Sequence, residues 1–182
     1  MIKERILTKN CKATIIPAGD EVILEKGTEI IITQTLGGTV TIRTALGLFR
    51  IAAKDLDALG DEVDIEKSQL DLKNIADGVF SEAQVWEVLK NCFDPEIPIN
   101  IVDLGLIYDL FISESLNGKH HVEVKMTLTA QGCGMGPAIA ADAKEKIESL
   151  PAVQSANVSI VWDPVWNPMM ISEEGKKTLG LD

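Results

Sequence analysis

The chain has 182 residues, 46% of them hydrophobic, and a formal charge of −11. That content can form a core, but no apolar run approaches the roughly 20 residues a membrane helix needs, and residues 1–10 lack the apolar stretch of a secretory signal. Residues 1–76 carry 10 basic and 12 acidic side chains and residues 77–182 carry 7 and 16; the second half repels a phosphate backbone or an anionic bilayer, so neither nucleic acid nor membrane is expected as a partner.

Two small domains fit this length, and the composition shifts divide the chain into a β-rich module at 1–60, an acidic linker at 61–76 and a second domain at 77–182. Only Cys11, Cys92 and Cys133 are present. Three dispersed thiols without an export signal imply a reducing, cytoplasmic setting rather than a disulfide framework.

From residue 12 to about 54, short β-rich runs alternate with turn signals. Runs at 13–16, 22–24, 30–35, 40–44 and 48–51 are separated by Pro17-Ala18-Gly19-Asp20, Lys26-Gly27, Gly37-Gly38 and Ala45-Leu46-Gly47. Five strands in so few residues predict a meander curled into a small closed or half-closed barrel, with Cys11 just before its first strand.

Ser81-Glu82-Ala83-Gln84 is a capping box, and Val85, Val88, Leu89 and Cys92 form one apolar stripe, so a helix is expected to about residue 92 with Cys92 on its packing face. Asp94-Pro95-Glu96-Ile97-Pro98 ends it. Strands follow at 106–112 and 121–129, linked through Asn117-Gly118, and Pro137 opens a second helix whose face is Ile139, Ala143, Ile147 and Leu150. Val158, Ile160 and Trp162 alternate as a third strand, and Ser172 caps a last helix to Leu179. The order helix, strand, strand, helix, strand, helix predicts an α+β sandwich with a three-stranded sheet and helices on one side.

Cys133 stands in Gln131-Gly132-Cys133-Gly134-Met135-Gly136-Pro137, where strand turns into helix. Unpaired N–H groups and the partial positive charge at a helix start favour thiolate, and flanking glycines permit close approach to the sulfur. A thiol hydrolase needs a nearby base, yet His120 and His121 lie at the opposite end of the preceding strand. A closed zinc or iron–sulfur site needs about four ligands, and no Cys-x-x-Cys or His-x-x-x-His spacing occurs, so any cluster would need a partner, a client or a small thiol to complete its shell. Asp94, Glu96 and Asp103 could act as hard oxygen ligands or equally as turn and capping groups, and Asp109 falls mid-strand.

Asp94-Pro95-Glu96-Ile97-Pro98, Val102-Asp103-Leu104-Gly105-Leu106-Ile107-Tyr108, Thr127-Leu128-Thr129 and Gly132-Cys133 together make the second half resemble the SufT and PaaD-like metal–sulfur cluster biosynthesis family. Ile32-Thr33-Gln34-Thr35-Leu36-Gly37-Gly38 and Lys54-Asp55-Leu56-Asp57-Ala58-Leu59-Gly60 resemble the N-terminal extension of its SufT branch. Gly134 and Gln131 stand where PaaD-like members commonly carry proline, and the cysteine-rich tail of PaaD is missing. The resemblance implies an accessory factor for iron–sulfur protein maturation rather than an enzyme, with Cys133 as the reactive position and Suf-type assembly proteins and iron–sulfur clients as partners.

On that reading Cys133 transiently holds iron or a labile iron–sulfur cluster, with no cofactor permanently bound. Asp94, Glu96 and Asp103 shape or assist the site, Thr129 helps fix the turn, and a homodimer pairing two Cys133 thiols could supply half a ligand set. The alternative is an adaptor that links assembly machinery to clients without touching metal.

Overall fold

Short runs of β-branched residues between glycine turns build the first of two compact units; the computed structural model describes residues 3–60 and 79–181. The strands are β1 (Lys3–Ile6), β2 (Cys11–Ile16), β3 (Glu21–Leu24), β4 (Glu29–Leu36), β5 (Thr39–Thr44) and β6 (Gly47–Ile51). They form one antiparallel sheet in the order β1-β4-β5-β6-β2-β3. Gly37 and Gly38, at φ 61° and 72°, close the β4–β5 hairpin, because a two-residue turn of this hand needs two left-handed positions. Leu7, Leu24, Ile30, Val40, Ile42, Phe49 and Ile51 cluster with Ala58 and Leu59 from a 3-10 helix at Ala53–Leu59.

Two expectations change here. The meander survives as β4-β5-β6, but the β2–β3 hairpin joins the far side of β6, and an additional strand, β1, pairs with β4. Lys3-Glu4-Arg5-Ile6 has too little apolar alternation to announce a strand; its pairing along Ile30–Ile32 supplies the reason it forms. Cys11 does not precede the first strand but begins β2 and is buried in this core. The acidic linker expected at 61–76 lies outside the described residues.

In the second unit the Ser81 capping box is present, the Ser81 N–H donating to Gln84 Oε1 at 3.1 Å. It starts α1 (Glu82–Leu89), which buries Val85, Val88 and Leu89 and ends three residues short of the expected Cys92. Strands β7 (Ile107–Glu114), β8 (His120–Met126) and β9 (Val153–Ile160) form a sheet in the order β7-β8-β9, with β7–β8 antiparallel and β8–β9 parallel. Between β8 and β9 runs α2 (Gly136–Glu148), which packs on β9 and against α1. The third strand thus begins earlier than the alternation of Val158, Ile160 and Trp162 suggested, and Trp162 lies beyond it.

Val122, Val124 and Met126 of β8 face the helices and are at most 1% exposed, while Glu123 and Lys125 point to the other face. Each such side chain contributes about 1.5–3 kcal/mol by leaving water. Lys146 Nζ ties α2 to the turn after α1, donating to Asn91 O at 2.7 Å and to Asp142 Oδ2 at 2.8 Å. After β9 a short 3-10 helix, Pro168–Met170, leads to α3 (Glu173–Leu179), whose N-cap Ser172 Oγ accepts from Gly175 N–H at 3.0 Å.

Candidate functional site

Because β8 and β9 are parallel, the Cys133 turn and the segment after β9 leave the sheet at one end, where antiparallel β7 begins. Thr127 N–H still donates to Leu106 O at 2.8 Å, and Val161 N–H donates to Met126 O at 2.8 Å. The chain then turns through Gly132, at φ 81°, and folds back with Cys133 N–H on Ala130 O at 3.4 Å and Gly136 N–H on Cys133 O at 3.2 Å. Met135, 1% exposed, anchors the turn from inside and is the N-cap of α2, with Pro137 in the first turn. A Cβ on Gly136 would lie 2.5 Å from Leu128 Cδ1 and 3.1 Å from Ile160 Cδ1, so only glycine lets α2 start this close to the sheet.

Cys133 is half-buried, whereas Cys11 and Cys92 are buried. Burial, and after it the carboxylates of Asp55 and Asp57, push the Cys11 thiol up to about 11, which keeps it protonated and inert. Among the three thiols, Cys133 is therefore the one presented to other molecules.

The acids take different positions. Asp94 is buried, its Oδ1 accepting from Glu96 N–H at 2.8 Å and Ile97 N–H at 3.1 Å, which shapes the turn after α1. Glu96 is exposed on that turn. Asp103 Oδ2 accepts from Asn100 Nδ2 at 2.6 Å and Oδ1 from Ser172 Oγ at 2.7 Å, so its carboxylate joins the loop before β7 to the cap of α3. Around it the C-terminal segment lies against the loop: Trp166 Nε1 donates to Leu104 O and Tyr108 OH to Pro164 O, both at 2.8 Å. A Cβ on Gly105, at φ 72°, would fall 2.1 Å from Met170 O, which explains the glycine of Asp103-Leu104-Gly105. Asp109 is mid-strand and exposed, paired with Lys125 at 3.6 Å.

Thr129 is half-buried in the turn. Thr127, which enters the sequence motif Thr127-Leu128-Thr129 without a site role, is 0% exposed with an Oγ1 that has no hydrogen-bond partner among the described residues. Its polar side chain between buried Met126 and Leu128 was the available signal. The histidines lie at the far end of β8, away from Cys133, and are half-buried: His120 stacks on Phe80 with ring centroids 4.3 Å apart, and His121 Nδ1 meets Ser155 Oγ. Among the described residues no three His, Cys, Asp or Glu side chains group closely enough to hold a metal ion. No helix among them is long and apolar enough to cross a membrane.

A family model described as iron-sulfur cluster assembly protein matches residues 82–160. Over 100 residues, 55% of this chain and 91% of the relative, the sequence is 37% identical to a Porphyromonas gingivalis protein named an Fe-S protein maturation auxiliary factor. The chain belongs to the iron-sulfur cluster assembly protein family. It is also 40% identical over 88 residues to the Fe-S protein maturation auxiliary factor SufT of Staphylococcus aureus, spanning 48% of this chain and 96% of that one. A solved Bacillus anthracis structure, described as a domain of unknown function, is 32% identical, with 56% of this chain and 92% of that one covered at a TM-score of 0.48. The family match takes in Asp94, Glu96, Asp103, Thr127, Thr129 and Cys133, and stops before the segment that docks on Asp103 and Gly105.

Proposed function

We propose that this protein is an accessory factor in iron–sulfur protein maturation that hands iron or a labile cluster to apo-clients through Cys133, working with Suf-type assembly proteins. The observation that carries the reading is that a chain of this family holds two of its three thiols buried and offers the third at a glycine-flanked turn. Iron or cluster is cargo here rather than a resident cofactor. With no trio of protein ligands among the described residues, its shell is completed by the client or a small thiol, and incomplete ligation favours release.

Asp94 and Asp103 act by holding the loops around this end of the sheet, while exposed Glu96 is the acid available to incoming cargo. Thr129 fixes the entry to the turn. The protein is not an enzyme in this account, a reading supported by both histidines lying at the other end of β8 from Cys133. The N-terminal sheet curls into a half-closed barrel that contacts a partner, a reading supported by one sheet whose apolar cluster packs, among the described residues, against a 3-10 helix.

Anaerobic reconstitution with iron and sulfide tests the proposal: visible absorption is expected from the wild type and its loss from Cys133→Ser. A spectroscopically silent protein that still binds clients supports the adaptor reading instead.

A further inference from the structure

The β7 edge carries an inference independent of iron handling. Strand β7 ends the β7-β8-β9 order, so among the described residues one side of its backbone has no strand neighbour. Of its eight residues, Ile107-Tyr108-Asp109-Leu110-Phe111-Ile112-Ser113-Glu114, none is lysine, arginine or proline; the features that guard a free edge, the charges Asp109 and Glu114 and a register shift between Ile107 and Asp109, lie towards its two ends and leave Leu110-Phe111-Ile112 bare. Phe111 is 60% exposed, and Leu110 and Ile112 are only half-buried, although their partners in register, Val124 and Val122, are each 1% exposed. Among the described residues the apolar layer beneath the sheet therefore continues to the edge and stops there without another strand over it.

The strand's own pattern says what fits it. When two copies of one strand pair antiparallel about a two-fold axis, residues whose backbone groups point outward must meet residues of the same parity. Centring the axis on Phe111 places Phe111 opposite Phe111, Asp109 opposite Ser113 and Leu110 opposite Ile112. Aromatic meets aromatic, a carboxylate meets a hydroxyl, and the apolar layer of one copy runs into that of the other. Centring on Leu110 instead sets Phe111 against Asp109, and centring on Ile112 sets Leu110 against Glu114.

We infer that β7 is a self-association edge, on which two copies of this chain pair antiparallel about Phe111 to form a continuous six-stranded sheet. The interface is isologous, the usual form for a dimer. It also has a consequence for Cys133. The Cys133 turn sits at the end where β7 begins, and antiparallel pairing sends the two beginnings in opposite directions, separating them by roughly the length of the strand, about 25 Å. This dimer keeps the two Cys133 thiols apart, each facing its own client, instead of pairing them as a shared ligand set.

Sedimentation velocity of the full chain from about 1 µM to 1 mM, the range suited to a small interface, tests this. Wild type is expected to pass from monomer to dimer, and Phe111→Lys, which sets two cations across the axis on an already exposed position, to remain monomeric with an unchanged circular dichroism melt. In a Cys133→Ser background, mild oxidation of Phe111→Cys is expected to link most of the chain into covalent dimers, while wild type, with Cys133 present, links little. A wild type that stays monomeric throughout, a dimer indifferent to Phe111→Lys, or oxidative linking through Cys133 in preference to the position-111 thiol would overturn the inference. None of these readouts needs iron, so they stand or fall separately from the proposed transfer role.

Discussion

Asp103 accepts a hydrogen bond from the Ser172 hydroxyl at 2.7 Å, and the same hydroxyl caps α3 through Gly175 N–H at 3.0 Å. That carboxylate, which the sequence leaves open between an oxygen ligand and a turn or capping group, thus clasps the C-terminal segment. Asp103→Ala removes the clasp and leaves Asn100 Nδ2 without its acceptor, while the backbone N–H of residue 103 still donates to Asn100 Oδ1, so a loss of about 1–3 kcal/mol is expected in urea unfolding. Trp166, whose indole N–H bonds Leu104 O, should report the loosening as a red-shifted emission.

Gly136 sets how closely α2 approaches the sheet beneath the Cys133 turn. Gly136→Ala introduces a Cβ 2.5 Å from Leu128 Cδ1, and the side chains must move to admit it. A cost of about 1–3 kcal/mol is expected. Because Cys133 O accepts from the Gly136 N–H, the iodoacetamide alkylation rate of Cys133 should change with it.

The Thr127 hydroxyl is buried without a partner among the described residues. An unsatisfied buried polar atom costs about 1–3 kcal/mol, so the nearly isosteric Thr127→Val should leave stability unchanged or raise it. A urea midpoint that falls by more than about 1 kcal/mol equivalent would mean that the hydroxyl is bonded in the native protein.

Cys11 gives the first unit a dependence on alkaline pH. Its thiol is raised from an ordinary 9.0 to about 11 by burial and then by Asp55 and Asp57, so the folded state holds the proton more tightly than the unfolded chain. The associated stability is complete below pH 9 and is lost as pH rises through about 11, at no more than about 1.4 kcal/mol per pH unit for one proton. Urea melts at pH 8 and 10.5 should show that slope in wild type and lack this contribution in Cys11→Ala.

Local chemistry made much of this fold readable. The Ser81 capping box, the Gly37-Gly38 hairpin, the alternation of Val122, Val124 and Met126, and Pro137 at the start of α2 each act within a few residues, where the sequence alone shows the cause. Long-range pairing did not show. Strand β1 forms because β4 receives it, and the β2–β3 hairpin joins β6 through contacts about thirty-five residues apart in the chain. At the candidate site, the placement of Cys133 between strand and helix follows from local pattern. The bond from Asp103 to Ser172 spans 69 positions, and the lack of a partner for Thr127 depends on packing from several segments, so neither was legible.

The central claim concerns one sulfur. The direct test is activation of an apo-form iron–sulfur client under anaerobic conditions, with iron and sulfide supplied and the protein added as wild type or Cys133→Ser. The account predicts that wild type accelerates recovery of client activity and that the serine variant, equally folded by circular dichroism, leaves it at the rate seen without the protein. Equal acceleration by the two proteins would contradict it.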